Sequence, residues 1–192
     1  MRKLYIISGP NGAGKTTASY TVLPDVLNCR EFVNADEIAR GLSPFNPASV
    51  AVEAGRLMLA RIKTLLEQGQ TFAIETTLAT RSYINLVRQA QQKGYVVSLL
   101  YIWIESPELA IRRVAERVSK GGHDIPENVI RRRYRLGLQN LFGLYMPKVD
   151  DWIIVNNTHP PRRTIAQGTQ TSQITYENDT FNKIKHYVRQ RS

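Results

Sequence analysis

Eight residues near the start of the chain, Gly9-Pro10-Asn11-Gly12-Ala13-Gly14-Lys15-Thr16, constrain its fold more than any other stretch. They fit the pattern G-x-x-x-x-G-K-[ST]. The apolar run Leu4-Tyr5-Ile6-Ile7 ahead of them reads as a buried strand, and residues 14–28 read as a helix. Strand, glycine-rich turn and helix, in that order, are the context the pattern requires. The glycines let the backbone curl so that successive N–H groups converge, and the helix adds its positive dipole end. Such a ring of donors is a phosphate site. Lys15 is set to reach the terminal phosphates of a nucleoside triphosphate, and the Thr16 hydroxyl to ligate magnesium. Gly9, Pro10, Asn11, Gly12, Ala13, Gly14, Lys15, Thr16 and Thr17 are therefore the expected ATP-binding residues, with GTP as the alternative.

The rest of the chain alternates strand and helix. Residues 3–8 are the first strand, with Pro24 a late kink or break in the helix that follows. Arg30 to Ala35 form a short second strand ending on Asp36. Gly41 to Pro47 is rich in breakers and reads as a loop. From Ala48 to Gln68, Val50, Ala54, Leu57, Met58, Leu65 and Leu66 recur at helical spacing, and Gly69 stops the helix. Thr71 to Ile74 is a third strand ending at Glu75, Arg81 to Gln92 a helix, and Tyr95 to Ile104 a central strand. Pro107 opens a helix to about Ser119, the turn 120–124 follows, and Pro126 opens another; Trp152 to Val155 is a fifth strand. This alternation predicts an α/β three-layer sandwich around a mostly parallel sheet, the fold of P-loop nucleotide hydrolases and kinases. After Thr158, Pro160-Pro161 is a break. Residues 164–166 and 173–175 are expected to pair as a hairpin across Gly168, with a last helix from Asp179 to Arg191. One domain over residues 1–192 is expected, with a helical lid at about 107–140.

The chain carries a net charge of +10, and much of it is concentrated. Between Ile111 and Arg135, eight basic residues (Arg112, Arg113, Arg117, Lys120, Arg131, Arg132, Arg133 and Arg135) stand against Glu116, Asp124 and Glu127. A concentrated patch fits phosphate handling better than a uniformly basic coat. No window approaches the roughly 20 apolar residues that a bilayer crossing needs. No export signal is read at the N-terminus, and the single Cys29, a small apolar residue near the end of the first helix, suits a reducing compartment. A cytoplasmic location is the expectation. Three histidines and one cysteine give no zinc-type cluster.

Ligands of open α/β sheets sit beyond the carboxyl ends of the strands. The phosphate loop, Asp36 and Glu75 therefore converge on one edge. Asp36 is the candidate general base for phosphoryl transfer to an alcohol, though Asp also caps helices and would fit as cap of a short helix from Glu37 to Arg40. Glu75 has two candidate roles, ordering magnesium-bound water or binding hydroxyls of the acceptor; Thr76 and Thr77 add short donors, and Arg81 lies nearby. Arg113 and Arg117 share a helix face, and Arg131, Arg132 and Arg133 begin the return helix. Neighbours on a helix lie about 100° apart, so one or two of those three face the site. His123 fits a hydrogen-bonding residue of the turn as well as it fits a catalytic one.

Taken together, Gly9–Thr17, Asn34-Ala35-Asp36-Glu37-Ile38-Ala39, Glu75-Thr76-Thr77-Leu78-Ala79, and Arg117-Val118 with Gly121-Gly122-His123-Asp124-Ile125-Pro126 and the following Arg-Arg-Arg-Tyr resemble the zeta-toxin family of P-loop kinases. The match is to its shorter zeta-like members, also described as predicted ABC-type ATPases, and covers roughly residues 1–158. The resemblance implies ATP- and magnesium-dependent phosphorylation of a small hydroxylated acceptor, which in the family's toxins is UDP-N-acetylglucosamine, at the sugar 3′-hydroxyl. It implies Asp36 as base, Glu75 as acceptor-binding acid, and Arg117 with Arg132 or Arg133 as the lid arginines, alongside an antitoxin protein as partner. The chain is shorter than those toxins, and their sugar-nucleotide elements have no clear counterpart in it. Two rival readings are a nucleic-acid 5′-hydroxyl kinase, disfavoured because no aromatic-and-basic stripe accompanies the charge, and a non-catalytic ATP-binding module.

Overall fold

Every residue from Leu4 to Ser8 is buried, as a strand covered on both faces requires. The computed structural model describes residues 1–122 and 124–190, and it places this strand in the middle of one sheet. The strands are β1 (Lys3–Ser8), β2 (Glu31–Val33), β3 (Phe72–Thr76), β4 (Val96–Trp103), β5 (Asp151–Asn156), β6 (Arg163–Thr169) and β7 (Gln173–Thr175), in the order β2-β3-β1-β4-β5-β6-β7. The first five pair in parallel, and β6 and β7 extend the sheet antiparallel. The helices are α1 (Lys15–Asp25), α2 (Ala35–Leu42), α3 (Ala51–Glu67), α4 (Tyr83–Gln92), α5 (Pro107–Val118), α6 (Glu127–Asn140) and α7 (Asn178–Arg189). The expected α/β fold with a mostly parallel sheet is the one that forms.

Helices cover both faces. Ala18 and Val22 of α1 share with Tyr5 and Ile7 the lining of a cavity of about 430 Å3, which Leu100 and Ile153 also line. On the opposite face α6 crosses beneath Tyr101, and its Tyr134 hydroxyl donates to Ile104 O at 2.7 Å. The α7 helix then packs on α6 through an edge-to-face contact of Tyr187 with Tyr134, ring centroids 5.5 Å apart. Aromatic pairs of this kind favour that geometry because the ring edge is positive and its face negative.

Several boundaries differ from the sequence expectation. Asn34, not Asp36, caps α2: its Oδ1 accepts from Asp36 N–H at 2.8 Å, and the helix runs on through Gly41 and Leu42. Two cap-forming residues stand there with only Ala35 between them, and the backbone turn decides which one caps. Pro24 lies inside α1, one residue before its end. The stretch 47–50 is a 3-10 turn, so α3 begins only at Ala51, and its buried stripe includes Ile62 while Leu57 is 44 % exposed. Gly168 is within β6, paired with Gln173, rather than in the turn. His123 and Arg191 lie outside the described residues.

Candidate active site

The strand order decides what meets what. With β3 between β1 and β2, Glu75 stands between the phosphate loop at the end of β1 and Asp36 just past the end of β2. The loop closes on itself through Ala13 N–H to Pro10 O at 3.2 Å, and α1 begins where Ala18 N–H reaches Gly14 O at 3.0 Å. Gly12 has φ +75, and a Cβ there would collide with Ala110 O, so the loop needs glycine both for its turn and for the closeness of α5.

Lys15 is buried, yet charged groups surround it. Its Nζ donates to Pro10 O at 3.0 Å and stands 3.7 Å from Glu75 Oε1. Glu75 Oε2 accepts from the Thr16 hydroxyl at 2.8 Å and from Asn34 Nδ2 at 2.9 Å. Burial pushes the Glu75 carboxyl above its ordinary range, and Lys15 and Thr16 pull it back. Burial likewise draws Lys15 below the usual lysine range, opposed by Glu75 and then Asp36, and reinforced by Arg117 and Arg133. Five residues singled out from sequence are thus close enough to feel one another's charge.

Asp36 is exposed in the first turn of α2. It lines a cavity of about 70 Å3 with Ala39, Pro47, Ala51 and Arg117. A larger cavity, about 900 Å3, opens between Thr16, Thr17 and Tyr20 of α1, Arg40 of α2, and Arg113 and Arg117 of α5. The three consecutive arginines of α6 diverge as the helical period demands. Arg131 pairs with Glu108 of α5 at 2.5 Å, Arg132 is exposed, and Arg133 Nη1 lies 3.5 Å from Asn11 Oδ1 in the phosphate loop. Burial lowers the Arg133 pKa, and the charge of Asp36 opposes that. Arg113 donates to Thr158 O at 2.8 Å and to Gly12 O at 3.5 Å, tying the loop to the segment after β5.

Beyond Glu75 the chain makes a strained turn. Leu78 is fully buried with φ +56, a conformation costly for a residue with a Cβ, and persists because its surroundings hold it. Thr76 Oγ1 accepts from Leu78 N–H at 3.1 Å, Asn140 Nδ2 donates to Leu78 O at 2.7 Å, and the Tyr145 hydroxyl donates to Thr80 O at 2.9 Å. Thr76 and Thr77 are half-buried on this turn, and Arg81 is exposed after it.

Sequence reasoning gave no site role to Asn34, Asn157 or Thr158. Asn157 Nδ2 donates to Ala13 O at 2.8 Å, bracing the phosphate loop, while its Oδ1 accepts from Arg162 Nε at 3.2 Å. The signal existed: Asn157 directly follows the apolar strand β5, as Asp36 follows the end of β2.

A phosphate loop on the central strand of a parallel sheet, beneath an arginine-bearing helix pair, defines the P-loop kinase fold. The family model named Zeta toxin matches residues 2–159, and the chain belongs to that family. A protein of Haemophilus influenzae, described only as uncharacterized, is 32 % identical over 132 residues, which are 69 % of this chain and 92 % of the relative. Among solved structures, a chain of the AvrRxo1-ORF1:-ORF2 complex with ATP superposes with a TM-score of 0.78 at 17 % identity. That match covers 96 % of this chain but 63 % of the other, so this chain spans less than two thirds of that neighbour. The PezAT chromosomal toxin-antitoxin system of Streptococcus pneumoniae gives a TM-score of 0.64 at 16 % identity, covering 99 % of this chain and 87 % of the other. At these identities the structural likenesses speak for the fold.

Proposed function

We propose that the protein is an ATP- and magnesium-dependent kinase that transfers the γ-phosphoryl group to a hydroxyl of a small molecule. The observation that carries this reading is the convergence of Lys15, Glu75, Asp36, Arg117 and Arg133 around one phosphate loop. A nucleotide-binding module needs the loop and Lys15. It has no need of a second carboxylate, set beside a cavity of its own and facing arginines.

The chemistry follows from those positions. Loop N–H groups and Lys15 hold the phosphates, with Lys15 exchanging Pro10 O for a phosphate oxygen. The Thr16 hydroxyl and the Glu75 carboxylate are hard oxygen donors of the type magnesium takes, at a helix N-terminus where phosphates collect. Bound there, magnesium would neutralise charge on the transferring phosphoryl. Asp36 accepts the proton of the acceptor hydroxyl, and Arg117 and Arg133 stabilise the charge that builds on the phosphoryl oxygens. Arg113, already fixed to Thr158 O and Gly12 O, steadies the nucleotide side. The helix pair α5–α6 serves as the lid that keeps water out.

For the acceptor we propose a UDP-sugar, with UDP-N-acetylglucosamine the first to test, on the strength of family membership and of the basic cavity between α1, α2 and α5. An antitoxin-like protein partner is proposed on the same ground, the structural neighbours including members of two-component assemblies. The experiment is transfer from γ-labelled ATP to a panel of sugar nucleotides and other small alcohols, with and without magnesium. A labelled, acid-stable product absent from the D36N reaction is expected. Labelled orthophosphate as the sole product with every acceptor, unchanged by D36N, would overturn the kinase reading.

A further inference from the structure

The helix-capping residue of α2 does more than cap. Asn34 is 5 % exposed and uses both ends of its amide: Oδ1 accepts from Asp36 N–H at 2.8 Å, and Nδ2 donates to Glu75 Oε2 at 2.9 Å. Ser, Thr, Asp and Asn all satisfy a helix N-terminus, because the cap needs only an acceptor oxygen. The second contact is more demanding. Asp would set a like charge against Glu75 and offer no N–H, and Ser is too short to span from the α2 backbone to β3. An amide with an acceptor and a donor on one planar group answers both demands.

The consequence lies in what Glu75 leans on. In the resting protein Oε2 takes two hydrogen bonds, from Thr16 and Asn34, and Oε1 faces Lys15. Thr16 and Lys15 are the two groups that the proposed reaction directs toward magnesium and phosphate. Asn34 is the donor on Oε2 that stays behind. The same amide fixes the backbone at Asp36. One buried side chain therefore sets the position of the Glu75 carboxylate and of the Asp36 backbone relative to each other. We infer that Asn34 is a positioning residue: it holds Glu75 in register with Thr16 for magnesium–nucleotide binding and couples that carboxylate to Asp36. The inference rests on the kinase reading for the role of Glu75, and its test needs no acceptor.

The test uses the full chain with N34S and N34A, and titrates the non-hydrolysable analogue AMP-PNP by calorimetry in EDTA and over a range of magnesium concentrations. N34S keeps a capping oxygen and is expected to melt close to wild type, while N34A melts lower. Both variants are expected to bind AMP-PNP within about twofold of wild type in EDTA. Both lose about tenfold of the enhancement that magnesium confers, the size of effect that removing an outer hydrogen-bond partner of a metal-binding group typically has. If N34S folds and shows the full magnesium enhancement, Asn34 is a cap alone and the inference falls. If N34S melts as low as N34A, N34D, which keeps a capping oxygen but has no N–H to give Glu75, decides instead: recovery of the melting temperature without the magnesium enhancement supports positioning, and recovery of both overturns it. Failure of the kinase reading shows elsewhere, as intact magnesium–AMP-PNP binding with no transfer from ATP to any acceptor.

Discussion

The ends of β2 and β3 each present a carboxylate to the same site, and the two are held in opposite ways. Glu75, at the end of β3, has a side chain only 9 % exposed, with Thr16 and Asn34 on one oxygen and Lys15 beside the other. Asp36, one strand further from the loop, is exposed and lines the rim of a small cavity. A carboxylate surrounded by donors is fixed in place and costly to move, because each lost hydrogen bond leaves a buried group unsatisfied. One that opens onto a cavity is available to a ligand. Under the kinase reading proposed above, this difference would give Glu75 to the nucleotide and Asp36 to the acceptor.

Five substitutions would break or sharpen that division, beginning with the largest effect. D36N should reduce phosphoryl transfer by about 10²–10⁴-fold, the usual contribution of a positioned base, while AMP-PNP affinity stays within about twofold. Single-turnover transfer and calorimetry measure the two; loss of nucleotide binding would put Asp36 on the wrong side of the division. R133A should lower transfer by about 10²-fold, as removal of one donor to a developing charge does, and R132A should leave it unchanged. Equal losses for the two arginines would show that proximity to Asn11 and Asp36 is not what matters. E75Q should weaken magnesium-dependent AMP-PNP binding by about 10-fold, since it keeps the shape and removes the charge facing Lys15. A purely acceptor-side effect, with magnesium dependence intact, would move Glu75 across the divide. N140A should leave the charges alone and lower stability by about 1–3 kcal/mol, from a buried carbonyl left unpaired at Leu78. Urea denaturation checks it.

What could be read from sequence was local or repeated a rule. The loop 9–17 announces itself because strand, turn and helix are contiguous, and the position of Asp36 and Glu75 follows from polar residues ending apolar runs. The parallel sheet and the C-terminal hairpin were legible for the same reason, although Gly168 paired within β6 where a turn was expected. The braces were not legible. Asn34 meets Glu75 across 41 residues of sequence, and Asn157 meets Ala13 across 144. Nothing in the local pattern distinguishes an asparagine that ends a strand from one that ends a strand and supports a loop. The division among Arg131, Arg132 and Arg133 needed the rotation of α6, which is set by the burial of Ile130, Tyr134 and Leu138.

Gly137 gives that rotation a consequence far from any charge. It stands on α6 where a Cβ would press into Thr77 O, with the Tyr101 hydroxyl next nearest. The absent side chain acts as a gauge, setting the standoff between α6 and the end of β3. Arg133 sits about one turn, near 6 Å, back along the same rod. Widening the gap by the thickness of a methyl group would retract Arg133 from Asn11 by a similar amount. An alanine at 137 would then behave as an active-site substitution although it touches neither nucleotide nor acceptor.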